Sequence, residues 1–159
     1  MIARATVAGD ATVQLNAWTT VATEGTLSYV RALALPLAEF AGFDYERAAT
    51  IVSTANTTPT TVNMIAPTLP PAPTYQYIAT ALVEESCPEG VDAERGVHFM
   101  MGGTERAFLH ATDNCSNELT YGVNRAFTSL PSMFSIGLSS GNGIAVFHRQ
   151  STQLVLALP

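Results

Sequence analysis

Val97-His98-Phe99-Met100-Met101-Gly102-Gly103-Thr104-Glu105-Arg106-Ala107-Phe108-Leu109 is the stretch that decides the fold. Two β-prone runs flank a pair of glycines. Adjacent glycines accept the positive φ angles of a type I′ turn, so the two runs read as a hairpin. A two-residue turn pairs Met101 with Thr104. Counting outward then sets His98 opposite Ala107, on one face with Glu105 and Leu109, and sends His110 to the other face with Phe99 and Phe108.

The same pattern recurs toward both ends. Phe134, Ile136 and Leu138 alternate with Ser135 and Gly137, the period-two signature of a strand with one apolar face. Gly141-Asn142-Gly143 supplies a turn, and Ile144, Val146 and Phe147 open the next strand. Arg149-Gln150-Ser151 reads as a further connection before Leu154, Leu156 and Leu158, which alternate with Gln153, Val155 and Ala157. The C-terminus is therefore expected to be a meander. In the first third, Gly9-Asp10 separates Ile2–Val7 from Thr12–Leu15, and Glu24-Gly25 separates Trp18–Val21 from Leu27–Val30, which predicts a second meander.

Two segments fit more than one pattern. Leu27, Val30, Ala34, Leu37 and Phe40 form a helical stripe that Pro36 interrupts, so a strand to about Leu35 with a short helix after Pro36 satisfies both signals. Tyr75–Glu85 carries Tyr75, Tyr77, Ile78 and Val83, which favour strand. Between these segments, Thr57 to Pro73 is rich in threonine and proline, suits extended backbone and cannot supply a central strand. It crosses between sheets, reaches over a neighbouring subunit, or simply links two halves. The expectation is a single mainly β domain over 1–159, an antiparallel sandwich, jelly roll or barrel. It has at most one or two short helices, and a Thr/Pro-rich connection at about 56–73 joins its two β halves.

Composition narrows the function classes. The charged share is 13%, about half the usual quarter. So few charges leave much neutral surface, which points to buried subunit contacts. The chain is acidic at −6, all seven basic residues are arginine, and they are scattered from Arg4 to Arg149. Nucleic-acid binding is excluded for want of a basic footprint, and Schiff-base or P-loop lysine chemistry for want of lysine. No run approaches the ~20 apolar residues of a membrane span. Met1-Ile2-Ala3-Arg4 is no secretory signal, so synthesis in the cytoplasm and no membrane insertion are expected. Cys87 and Cys115 sit in turn-like contexts, and the sequence does not say whether they are bridged. No zinc-ligand spacing or calcium loop is present, so no metal and no cofactor are expected.

Three patterns merit chemical scrutiny. Gly137-Leu138-Ser139-Ser140-Gly141 matches the nucleophile elbow of hydrolases by letter. The residues after it read as turn and strand rather than helix, and no Asp or Glu occurs after Glu118, so the match reads as a loop of small residues. His98 and Glu105, diagonal neighbours in the hairpin, could share acid–base work, with structural or interface roles as the alternative. Trp18 and Arg31 face each other if the Glu24-Gly25 turn has two residues. They then form either a structural cation–π contact or half of a sugar-stacking platform, and Tyr75 and Tyr77 invite the same two readings.

In general character the chain resembles small β-rich proteins of phage-like particles: decoration proteins, spikes, fibre tips and tail components. The resemblance implies a non-enzymatic structural or binding subunit of a symmetric homo-oligomer, trimer or larger. Such a subunit is assembled into a virion or particle and contacts a protein scaffold, a receptor or a glycan. The alternative is a small β-barrel hydrolase or isomerase that uses His98 with Glu105, or a Cys/His pair.

Overall fold

The computed structural model describes residues 35–85, 92–114 and 118–159. The expected N-terminal meander, the Trp18/Arg31 pair, Cys87 and Cys115 lie outside the described residues. After Pro36 the chain makes a single 3-10 turn, Leu37–Glu39, where a short helix is expected. Among the described residues nine strands follow: β1 Gly42–Ala48, β2 Val52–Thr54, β3 Thr60–Ile65, β4 Thr74–Glu85, β5 Asp92–Met101, β6 Thr104–Asn114, β7 Glu118–Phe127, β8 Phe134–Ser140 and β9 Val146–Leu158.

They form a sandwich of two antiparallel sheets. The first runs β1-β9-β4-β7, with β2 also paired to β9, and the second runs β3-β8-β5-β6. The Gly102-Gly103 hairpin is present as β5–β6, with φ of 59° and 77° at the two glycines. Tyr75–Glu85 is strand, as its β-branched and aromatic content favours. The Thr/Pro-rich stretch leaves the first sheet after β2, supplies β3 at an edge of the second sheet, and returns to β4. An edge suits it, because the prolines beside β3 cannot donate to a ladder on both sides. Beyond β3 the stretch is pinned along the margin of the first sheet. The Thr68 amide donates to Asp44, and the Tyr75 hydroxyl donates to the Pro70 carbonyl at 3.1 Å.

Two expectations fail for physical reasons. β8 and β9 do not form a C-terminal meander. They sit in opposite sheets, because the chain between them crosses the sandwich and both strands are drawn into central positions. Nor does Arg149-Gln150-Ser151 break the final strand. β9 runs unbroken through it, and Arg149 is accommodated as a bulge, with Leu82 paired to Gln150 and Val83 to His148. The Arg149 guanidinium pairs with Glu84 and lies 5.9 Å over the Phe147 ring.

The core lies between the sheets. Tyr77, Ala79, Ala81 and Val83 of β4 meet Val97 and Phe99 of β5 and Phe134, Ile136 and Leu138 of β8. The Tyr77 and Phe134 rings stack at 4.5 Å, and Phe127 packs 5.5 Å from Phe134. The leucines of β9 do not join this core. Register places Gln153, Val155 and Ala157 on the inner face, opposite Ala79, Tyr77 and Tyr75. Leu154 and Leu156 point outward beside Ile78 and Gln76 of β4 and Tyr45 and Phe43 of β1, and are still almost fully buried.

Candidate functional site

The outer face of the second sheet gathers residues that carry chemistry. A bulge in the β5–β6 hairpin sets their alignment. Met100 pairs with Glu105, but Phe99 pairs with Ala107, so Arg106 is the extra residue. The expected pairing of His98 with Ala107 is thereby corrected to His98 with Phe108, and Phe108 moves to the His98 face. Glu105 keeps to that face as counted.

On the other side of β5, β8 brings Gly137 opposite His98 and Ser139 opposite Gly96. Three strands therefore deliver a continuous hydrogen-bonded chain. His98 Nδ1 meets the Glu105 carboxylate, and His98 Nε2 lies 2.7 Å from Ser139 Oγ. The Phe108 ring stacks on the imidazole at 4.6 Å and 28° and fixes its plane. Gly96 makes this crowding feasible. A Cβ there would come within 2.6 Å of both the Phe108 ring and Ser139 Oγ.

Sequence reading paired His98 with Glu105 but set Ser139 aside as part of a loop. The structure overturns the loop: Ser139 sits within β8. No motif could have joined Ser139 to His98, because the contact is lateral and depends on which strands become neighbours. The turn-and-strand reading of Gly141 to Phe147 holds.

The chain has the connectivity of a nucleophile, a base and an orienting carboxylate. Two features distinguish it from a hydrolase centre. Ser139 and His98 are only 6% and 8% exposed, while Glu105 is exposed. The amides after the serine are also already engaged: Ser140 N–H donates to the Asn56 carbonyl at 2.7 Å, and Gly141 N–H to the Glu94 carbonyl at 2.8 Å. Those amides are therefore not available as an oxyanion hole.

A second polar system lies between the sheets. His148 Nδ1–H donates to the Thr50 carbonyl at 2.9 Å, which leaves Nε2 to accept the Ser151 hydroxyl at 2.9 Å. Asn63 of β3 donates its amide to Ser151 Oγ at 2.9 Å and ties the two sheets together. Burial lowers the His148 pKa, and the Thr50 hydrogen bond only partly offsets this. Tyr77 donates to Gln153 Oε1 at 2.7 Å, and burial holds its phenol well above the ordinary range. Tyr75 and Tyr77 both point inward and are buried, so their rings serve packing. Among the described residues no three His, Cys, Asp or Glu side chains are grouped as metal ligands.

No family model matches the chain, and no curated protein is similar to it in sequence. Several solved structures are similar to parts of the chain. The Eiger TNF of S. frugiperda is 7% identical over 74% of this chain and 93% of its own, with a TM-score of 0.45. The sugar-binding EclA C-terminal domain is 13% identical over 67% and 78%, with a TM-score of 0.44. A chain of the Bacillus endospore appendages, described as disulfide-linked pili, is 10% identical over 82% and 100%, with a TM-score of 0.41. At these identities and scores the likeness carries over no residue and no activity. The fold stands on its own strand order, a mainly β sandwich of two antiparallel sheets.

Proposed function

We propose that the chain is a non-enzymatic structural or binding subunit of a symmetric homo-oligomer, in style like a decoration, spike, fibre-tip or tail component of a phage-like particle. The observation that carries this reading is the neutrality of the outer face of the first sheet. Phe43 and Tyr45 of β1, Leu154, Leu156, Thr152 and Gln150 of β9, Gln76, Ile78, Thr80 and Leu82 of β4, and Thr120, Gly122, Asn124 and Ala126 of β7 all occupy outward positions. None is charged. Among the described residues charge stands at the margin of this face, with Arg47, Glu84, its register partner Glu118, and Arg149.

Thr152, Leu154 and Leu156 are already almost fully buried within the chain, so the part open to a partner is the β4 and β7 half, where a solvent-facing antiparallel sheet ordinarily carries charged or polar side chains. Depletion of charge across a patch is instead the compositional mark of an interface centre. The partner proposed for this face is a second copy of the chain. The acidic surface elsewhere fits a protein, receptor or glycan partner and not nucleic acid. Trp18 with Arg31 is the proposed stacking pair for a glycan.

The test is a charge placed in the middle of the face. Ile78→Glu and Leu82→Arg, each alone, should dissociate the assembly in size-exclusion chromatography while far-UV circular dichroism stays β. Oligomers that survive both substitutions would remove this face from the reading. Loss of glycan binding in Trp18→Ala, with the native mass unchanged, would support the stacking pair.

A further inference from the structure

We propose that Ser139 is an activated nucleophile, acylated by small uncharged activated esters through the Ser139–His98–Glu105 chain. This goes beyond the assembly reading and does not depend on it. The Glu105 carboxylate takes the Nδ1–H of His98, which leaves the Nε2 lone pair facing the Ser139 hydroxyl at 2.7 Å. Each partner sits on a different strand of one sheet, so backbone pairing fixes their separation. The stacked Phe108 ring removes the remaining rotation of the imidazole. A strand serine that served packing alone would have no need of a histidine aligned by a carboxylate.

The acyl group has an apolar surface to rest on, supplied by Phe108, 48% exposed, beside half-buried Met100. Phe108 lies over Gly96 beside Ser139.

The step is an acyl transfer. Ser139 Oγ attacks the ester carbonyl carbon as its proton passes to His98 Nε2, and Glu105 stabilises the imidazolium. The tetrahedral adduct then collapses, the carbon–oxygen bond to the leaving group breaks, and His98 returns the proton to the departing oxygen. Acyl-Ser139 remains. The amides of Ser140 and Gly141 are bound to the Asn56 and Glu94 carbonyls and stabilise neither tetrahedral oxyanion, so acylation relies on the good leaving group of an activated ester, and the unactivated acyl-Ser139 ester, which has none, resists hydrolysis. The reaction therefore stops at about one acyl group per chain.

The experiment incubates the full chain with p-nitrophenyl acetate and follows the nitrophenolate burst, the intact mass and the modified peptide. The expected result is a burst of one equivalent, with acetyl mapped to Ser139 and abolished in Ser139→Ala. The rate should fall ~100-fold or more in His98→Gln, the size expected for loss of a general base. Glu105→Gln should lower the rate at unchanged folding, and Glu105→Asp should restore part of it, which a purely structural residue would not do. Phe108→Ala should slow the burst, because the imidazole loses the ring that holds its plane. Acetylation spread over surface sites, or at Ser139 with an unchanged rate in His98→Gln, would overturn the proposal. If His98→Gln does not fold, the solvent isotope effect on the wild-type burst decides: a rate unchanged in heavy water refutes the base. The native mass of the same sample is measured in parallel, so an unlabelled oligomer refutes only this proposal and a labelled monomer refutes only the assembly.

Discussion

Two regions that hold buried polar side chains, one between the sheets and one on the outer face of the second sheet, are wired differently. In both a histidine meets a serine hydroxyl, at 2.9 Å for His148 and 2.7 Å for His98. The partner of the opposite nitrogen separates them. His148 donates to the Thr50 carbonyl, which fixes its tautomer but brings no charge to balance an imidazolium. A cation there would be desolvated without compensation, so His148 stays neutral and acts as a strut. His98 faces the Glu105 carboxylate, which is open to water and can balance a proton gained from Ser139. The same residue pair thus becomes a structural tie inside and a base outside, according to one neighbour.

The interior should break first. His148→Ala removes a fully buried ring and takes the acceptor from the buried Ser151 hydroxyl, with an expected loss of about 3 kcal/mol in urea unfolding. His98→Ala should lose less, about 1 kcal/mol, since the exposed Glu105 carboxylate it leaves is open to water. Equal losses at the two sites would erase the contrast.

A second interior test uses Tyr77 and Gln153. Tyr77→Phe strips Gln153 Oε1 of its donor and should destabilise by about 1–3 kcal/mol. Adding Gln153→Leu removes the orphaned amide, whose Nε2 already has no hydrogen-bond partner, and should recover most of that loss. A double variant less stable than the single one would contradict this account of the core.

Acid should sharpen the comparison. His148 takes up its proton less readily folded than unfolded. The unfolded chain therefore binds more protons as pH falls through the ordinary histidine value of about 6.5. Its stabilising contribution is full above that value and is lost on acidification below it. His148→Gln should flatten the dependence between about pH 7 and pH 5, as read by midpoint denaturant concentrations. A wild-type slope no steeper than that of the variant would count against a neutral His148.

The smallest effect lies at the margin. Arg149→Ala breaks the partly exposed pair with Glu84, worth about 0.2–1 kcal/mol and weakened by added salt.

Much of the architecture was legible because alternation reports which face of a strand is buried. Phe134, Ile136 and Leu138 were readable as an inner face, and Gly102-Gly103 as a hairpin. Alternation does not report which strand lies alongside. That is why β8 and β9 read as a meander although they face each other across the core, and why the β9 leucines gave no hint that Gln153 and Val155 would turn inward. Bulges were equally silent. Arg106 and Arg149 carry no glycine to mark them, and each is read only from pairing. Of the candidate site, His98 and Glu105 were visible because one tight turn fixes their spacing. Ser139 was not, because it reaches His98 across a pairing 41 residues distant in sequence.

The most direct measurement is native mass by light scattering over about a tenfold concentration range. A stable trimer or larger assembly is predicted, with an interface above ~1,000 Å² that includes the neutral outer face of the first sheet. A monomer at every concentration would contradict the assembly reading and leave that uncharged face to be explained by contacts within the chain.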